Sequence, residues 1–128
     1  MSELIKYTLE FPINSSINIL YLRLSSPSGL AEWFADDIII EDNIYTFIWD
    51  GSQQNAKLLK KKNNSFIRFK WEDNETQDDY FEFFIQVDEM TSDVSLLVTD
   101  FAEDKEEQED QTYLWTQQIS ILKRAIGS

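Results

Sequence analysis

The sequence predicts an α+β fold: a curved antiparallel sheet of about six or seven strands around one long C-terminal helix, with two short helices after the first strand. Three observations predict it. Residues 5–11 and most of 38–101 carry short runs in which apolar and polar residues alternate, the period of half-buried strands. Short polar turns separate these runs, so neighbours in sequence pair antiparallel. The last twenty residues change to helical spacing, with Trp115, Ile119, Leu122 and Ile126 on one stripe. A helix with one broad apolar face needs a sheet to cover it.

The elements follow in order. Ile5, Tyr7, Leu9 and Phe11 alternate with Lys6, Thr8 and Glu10, giving a strand that Pro12 should stop. Asn14 or Ser15 can cap a short helix through Ile17, Leu20, Tyr21 and Leu24. Ser26 before Pro27 is a second helix start, with proline at the first helical position. That helix should carry Leu30, Trp33 and Phe34. Ile38-Ile39-Ile40 is a short β-branched strand, and residues 44–49 alternate Tyr45, Phe47 and Trp49 with Ile44, Thr46 and Ile48. Asp50-Gly51 is a turn. Strands follow at residues 57–62, 66–71, 80–87 and 94–101, with an acidic loop at 72–79. Asp104 and Glu107 form a capping box before the long helix. Acids crowd its start and Lys123-Arg124 its end, both favourable to the helix dipole, and Gly127 is a C-terminal cap.

Composition narrows the function. A chain of 128 residues is the size of one domain, so residues 1–128 are read as a single unit. It contains neither cysteine nor histidine. Disulfides, thiol catalysis, a Ser-His-Asp triad and most transition-metal sites are thereby excluded. Acidic residues outnumber basic ones 24 to 11, for a net charge of -13, which repels nucleic acid and anionic membranes. Aromatic residues are 14% of the chain, enough to rule out a disordered acidic tail. The N-terminal residues lack a signal-peptide pattern and no apolar run reaches about 18 residues, so a cytoplasmic location is the expectation.

Three stretches resemble a known family. They are Ser26-Pro27-Ser28-Gly29-Leu30-Ala31-Glu32-Trp33-Phe34-Ala35-Asp36, the strand Asn43-Ile44-Tyr45-Thr46-Phe47-Ile48-Trp49, and Trp115 with Ile119, Leu122 and Lys123. Their order resembles the helix-grip fold of the START-like (SRPBCC) superfamily, and is similar to the group of the activator of the heat-shock chaperone ATPase. The sequence departs from that pattern at Asp42-Asn43, where glycines are usual, and before Phe101. The resemblance implies a space between sheet and long helix that holds apolar or amphipathic molecules in relatives. It implies no catalytic set and no cofactor.

The candidate site follows from the aromatic residues. Trp33 and Phe34 would form a lid, and Tyr45, Phe47, Trp49, Phe69, Trp71, Phe83 and Trp115 the walls, with Gln118, Ile119 and Leu122 from the helix. A polar handle would come from the Tyr45 hydroxyl, an indole N–H or the Gln118 amide. The same rings can instead fill the space, as close-packed interiors do. Adjacent acids such as Asp36-Asp37, Glu41-Asp42, Asp78-Asp79 and Glu103-Asp104 are read as solvated surface, because neighbours in a strand face opposite ways. A weak divalent-cation site in the loop at 72–79 stays open; no other metal site is expected. Lys57, Lys60, Lys61 and Lys62 could bind an acidic partner or another acidic copy of the protein; the favoured reading makes them guards of an edge strand.

The expected function is a non-catalytic module binding an apolar or amphipathic small molecule between sheet and C-terminal helix. The alternative is a co-chaperone-like protein-interaction domain with a filled core, as a homodimer or with another protein, through outward residues such as Tyr80, Phe84 and Leu97. An enzyme would need a buried acid of raised pKa, and the sequence nominates none.

Overall fold

A computed structural model describes residues 3–74 and 78–128. The elements run β1 (Ile5–Ile13), α1 (Ile17–Ser25), α2 (Pro27–Leu30), β2 (Asp37–Glu41), β3 (Ile44–Trp49), β4 (Ser52–Lys62), β5 (Phe66–Trp71), β6 (Phe81–Val87), β7 (Val94–Ala102) and α3 (Lys105–Ile126), with a 3-10 turn at Glu72–Asn74. The seven strands form one curved antiparallel sheet in the order β1-β7-β6-β5-β4-β3-β2. The α+β architecture read from the sequence is the observed one.

Several boundaries differ from the sequence expectation, each for a physical reason. β1 continues through Pro12, which pairs with Ser95, to Ile13. It is an edge strand, where a missing N–H costs no ladder bond. Ser16, not Asn14 or Ser15, caps α1: its hydroxyl accepts from Ile19 N at 3.3 Å. α2 stops at Leu30, because the Leu30 carbonyl gathers Trp33 N, Phe34 N and Ala35 N at 2.8–3.3 Å and folds the chain into a turn. That turn buries Trp33 and Phe34 together. β4 begins five residues early, at Ser52, because Asp50 and Gly51 (φ 80) make a two-residue hairpin that draws Ser52 to Asn55 into pairing with β3. Its polar start, Ser52-Gln53-Gln54-Asn55, carries no apolar alternation to announce a strand.

Lys57 lies on an interior strand, paired with both Ile44 and Lys70, so the edge-guard reading fails for it. β3 pairs with β4 only as far as Lys57. Lys60, Lys61 and Lys62 therefore lie on an overhang paired on one side only, to β5, past a register shift between Leu58 and Lys60. The lysines guard half a strand.

The core lies between the concave sheet face and the helices. Trp115, Ile119 and Leu122 are the buried stripe of α3. The helix is closed at both ends. Asp104 accepts from Glu107 N at 2.8 Å, and Glu107 Oε1 accepts from Glu103 N at 3.1 Å. Gly127 turns left-handed (φ 75), and Ser128 N donates to Lys123 O at 2.8 Å.

Ser26 links α1 to α2. Its hydroxyl donates to Leu22 O at 2.6 Å and accepts from Gly29 N at 3.0 Å. Gly29 sits so close to α1 that a Cβ there would fall 2.1 Å from Leu22 O and 2.7 Å from Arg23 Cα. Gly29→Ala is expected to force the two helices apart and cost about 1–3 kcal/mol, measurable by thermal unfolding. An unchanged midpoint would mean that the pair separates freely.

Candidate functional site

The residues nominated as cavity walls do converge, but on one another. Phe34 sits at the centre. Its ring meets those of Trp33, Phe47, Trp49, Phe81, Phe83 and Trp115 with centroids 4.9–6.0 Å apart. Trp115 stacks on it from α3 at an interplanar angle of 15°. Tyr45, Phe47, Phe69 and Trp71 continue the packing across β3 and β5, with centroids 4.8–6.2 Å apart. Ile119 and Leu122 join the same cluster from α3. Phe81 is a fully buried member that the candidate set lacked. Its signal was present in the sequence, since it alternates with Phe83 and Ile85 on one side of β6.

The polar handles are engaged. Trp33 Nε1 donates to Arg23 O at 2.7 Å, and the Tyr45 hydroxyl reaches Ser25 O at 3.5 Å. Burial raises the Tyr45 pKa, with Tyr21 adding to it. The Phe34 carbonyl accepts from Trp49 Nε1 at 2.9 Å and from Gln118 Nε2 at 3.4 Å.

Four of the nominated residues also reach one surface depression. Trp33, Phe34, Trp49 and Gln118 line it together with Ala31, Glu32, Ala35, Asp36 and Ile121, around about 310 Å³. It lies at the rim of the sheet–helix space, between the α2–β2 turn and α3. Glu32 is paired with Arg23, and Asp36 accepts from Asp50 N at 2.9 Å. A larger depression, about 640 Å³, lies at the β6–β7 hairpin and is mostly polar, with Glu10, Asp88 and Asp93 among its walls. It contains none of the nominated residues. Asp88 is committed to the hairpin: its carboxylate accepts from Met90 N and Thr91 N at 2.8 and 3.0 Å, and the Thr91 bond is the main cause that lowers its pKa. Among the described residues, no cluster of three or more acids is placed to hold a metal ion. The cation site considered for the loop at 72–79 falls partly on residues 75–77, outside the described residues.

The structure does supply the buried acid that the sequence did not nominate. Asp100 lies on the inner face of β7, opposite Tyr7 of β1. Its Oδ2 accepts from Trp115 Nε1 at 2.9 Å, and its Oδ1 from Phe101 N at 2.8 Å. The Tyr7 hydroxyl donates to Gln111 Oε1, and Gln111 Nε2 to Glu107 Oε1 at 3.1 Å. Burial pushes the Asp100 carboxyl up to about 6; its two hydrogen bonds oppose the rise, and Asp79 and Glu107 add to it. Burial likewise pushes Tyr7 well above the usual phenol range. The signal was legible: Leu96, Val98, Asp100 and Ala102 share one side of β7, so a carboxylate stands in an inward register. Asp100 does not line the Phe34 depression.

Comparison with known proteins agrees with this architecture. A family model described as the START-like superfamily domain matches residues 1–128. A protein of Bacteroides fragilis, solved by NMR, is 39% identical, with 98% of this chain and 92% of that chain covered and a TM-score of 0.70. The Aha1 dimer structure from Colwellia psychrerythraea is similar in fold at 18% identity, covering 95% and 96%, with a TM-score of 0.80. A protein of Mesorhizobium loti is similar in fold at 14% identity, covering 94% and 95%, with a TM-score of 0.74. Among curated proteins none matches. No helix among the described residues is long and apolar enough to cross a membrane.

Proposed function

The chain belongs to the START-like superfamily, and from that membership we propose that it is a non-catalytic binding module for a compact amphipathic molecule, seated in the depression around the Phe34 carbonyl. One observation carries the reading. Of the residues that the sequence nominates, Trp33, Phe34, Trp49 and Gln118 meet at a single opening, and that opening lies where the sheet–helix space comes to the surface. Its volume, about 310 Å³, sits at the lower end of ligand pockets. The interior behind it is filled with rings, so the ligand rests at the rim rather than inside.

The chemistry of the rim defines the ligand. Trp49 and Ile121 offer apolar surface, and the Gln118 amide offers a donor whose present bond to Phe34 O is long at 3.4 Å. Such a bond is weak, so the amide can turn to a ligand acceptor at little cost. The carboxylates at the rim are committed to Arg23 and to a backbone N–H, which supports binding rather than acid–base chemistry.

Titration with medium-chain fatty acids and with flat aromatic phenols, followed by tryptophan fluorescence, tests the reading. A saturable change is expected with one of the two classes. Ile121→Glu, at a position already 39% exposed, should weaken it about tenfold without altering the fold. Failure of both classes to bind, or binding indifferent to Ile121→Glu, would remove the proposal.

A further inference from the structure

The sheet face turned away from α3 carries an ordered row of side chains across five strands. Reading the register from β4 to β1, the row is Lys62, Phe66, Phe84, Leu97 and Glu10. Phe66 and Phe84 stack at 6.2 Å and 20°. Phe84 is 38% exposed, while Phe66 and Leu97 are half-buried. Among the described residues neither Lys62 nor Glu10 has an ion-pair partner, whereas Arg68 holds Glu82 and Lys70 holds Asp79 on the same face. The row is therefore positive at one end, apolar in the middle and negative at the other.

A row of that form is complementary to its own reverse. We infer that this face is the interface of a twofold-symmetric homodimer, with Lys62 of each copy opposite Glu10 of the other and Phe84 on the axis. The axis runs along the strands, past β6. Rotation about it lays β4 of one copy over β1 of the second, Phe66 over Leu97, and Phe84 over Phe84. The other in-plane axis, across the strands, would set Lys62 on Lys62. Charge thus selects one of two symmetric face-to-face arrangements, and a twofold contact repeats each favourable pair.

The neighbouring row is compatible with this axis. It reads Lys60, Arg68, Glu82, Thr99 and Thr8, so Lys60 meets a neutral threonine. Its central Glu82 arrives already paired with Arg68 at 3.0 Å. Farther along, Tyr80 is closed off by its contacts with Phe101 and Arg68, at 5.0 and 4.1 Å, and offers little to a partner. Sheet twist carries rows remote from the axis apart.

Five strands at about 4.8 Å spacing span roughly 19 Å, so the contact covers on the order of 400 Å² per copy. Interfaces of that size are weak and transient. Sedimentation at physiological salt, from about 10 μM to about 1 mM, is the matching measurement. The expected result is a reversible monomer–dimer equilibrium in that range. Lys62→Glu and Glu10→Lys should each weaken it about tenfold or more, since each variant makes two like-charge contacts per dimer. The double variant should recover to within about threefold of the parent. Both changes are at exposed positions, and circular dichroism verifies that the fold is retained in all three variants. A protein monomeric throughout the range, a dimer unmoved by either single change, or a double variant no better than the singles would each overturn the inference.

Discussion

Phe34→Ala should remove about 3–5 kcal/mol of stability, the range for emptying a well-packed aromatic site. The residue is 4% exposed, and its ring meets Phe47 and Trp49 from β3 and Phe81 and Phe83 from β6, with Trp115 stacked from α3. These neighbours stand on a sheet ladder and a capped helix, so the hole cannot collapse without moving whole elements. The backbone contacts of the turn survive the change, because Trp49 and Gln118 donate to the Phe34 carbonyl and not to its ring. The loss is then one of packing alone. Domains of this size unfold at about 5–15 kcal/mol, so the variant should lose a large share of its margin. Urea unfolding with the m-value held fixed measures it. A loss below about 1 kcal/mol would show that the sheet–helix space is looser than its ring contacts indicate.

Asp100→Asn should change the pH dependence of stability rather than simply its size. The folded carboxyl titrates at about 6, above its ordinary 3.8. Between those values the native state holds a proton that the unfolded chain has released, so stability falls as pH rises from about 4 to about 6. Below and above that window this group contributes no slope. Each pKa unit is worth about 1.4 kcal/mol, and partial solvent contact trims the total. The variant should therefore gain about 1–3 kcal/mol relative to the parent between pH 4 and pH 7.5. A constant offset is also expected, since Trp115 Nε1 and Phe101 N bond different oxygens of the carboxylate and the amide puts an NH2 donor at one of those two positions. The comparison between the two pH values cancels that offset. Parent and variant curves that stay parallel would show that Asp100 is charged and solvated in the folded protein. The negative charges of Asp79 and Glu107 add to the rise of this carboxyl, and the Tyr7 phenol, raised by burial, stays protonated across the window.

Much of the fold was legible because its signals are local. The alternation in Phe81 to Val87, the Asp104–Glu107 box and the stripe Trp115, Ile119, Leu122 each require only a few neighbouring residues to read. The first residues of β4 are not legible because Ser52 to Asn55 are held by β3 through backbone bonds, which leave no mark on side-chain pattern. The end of α2 is not legible in the sequence because the Leu30 carbonyl gathers three amides at once, a geometry that spacing by threes and fours does not distinguish from a helix.

What the sequence determined alone was the class of architecture, the inward-facing set of side chains, and the chemistry that lacking cysteine and histidine forbids. Whether the aromatic residues enclose a space or fill it, and that Lys62 and Glu10 end one row, were decided only by tertiary structure. Periodicity fixes which way a side chain points; the distance to whatever it meets depends on strand order, register and sheet curvature, which join residues far apart in the chain.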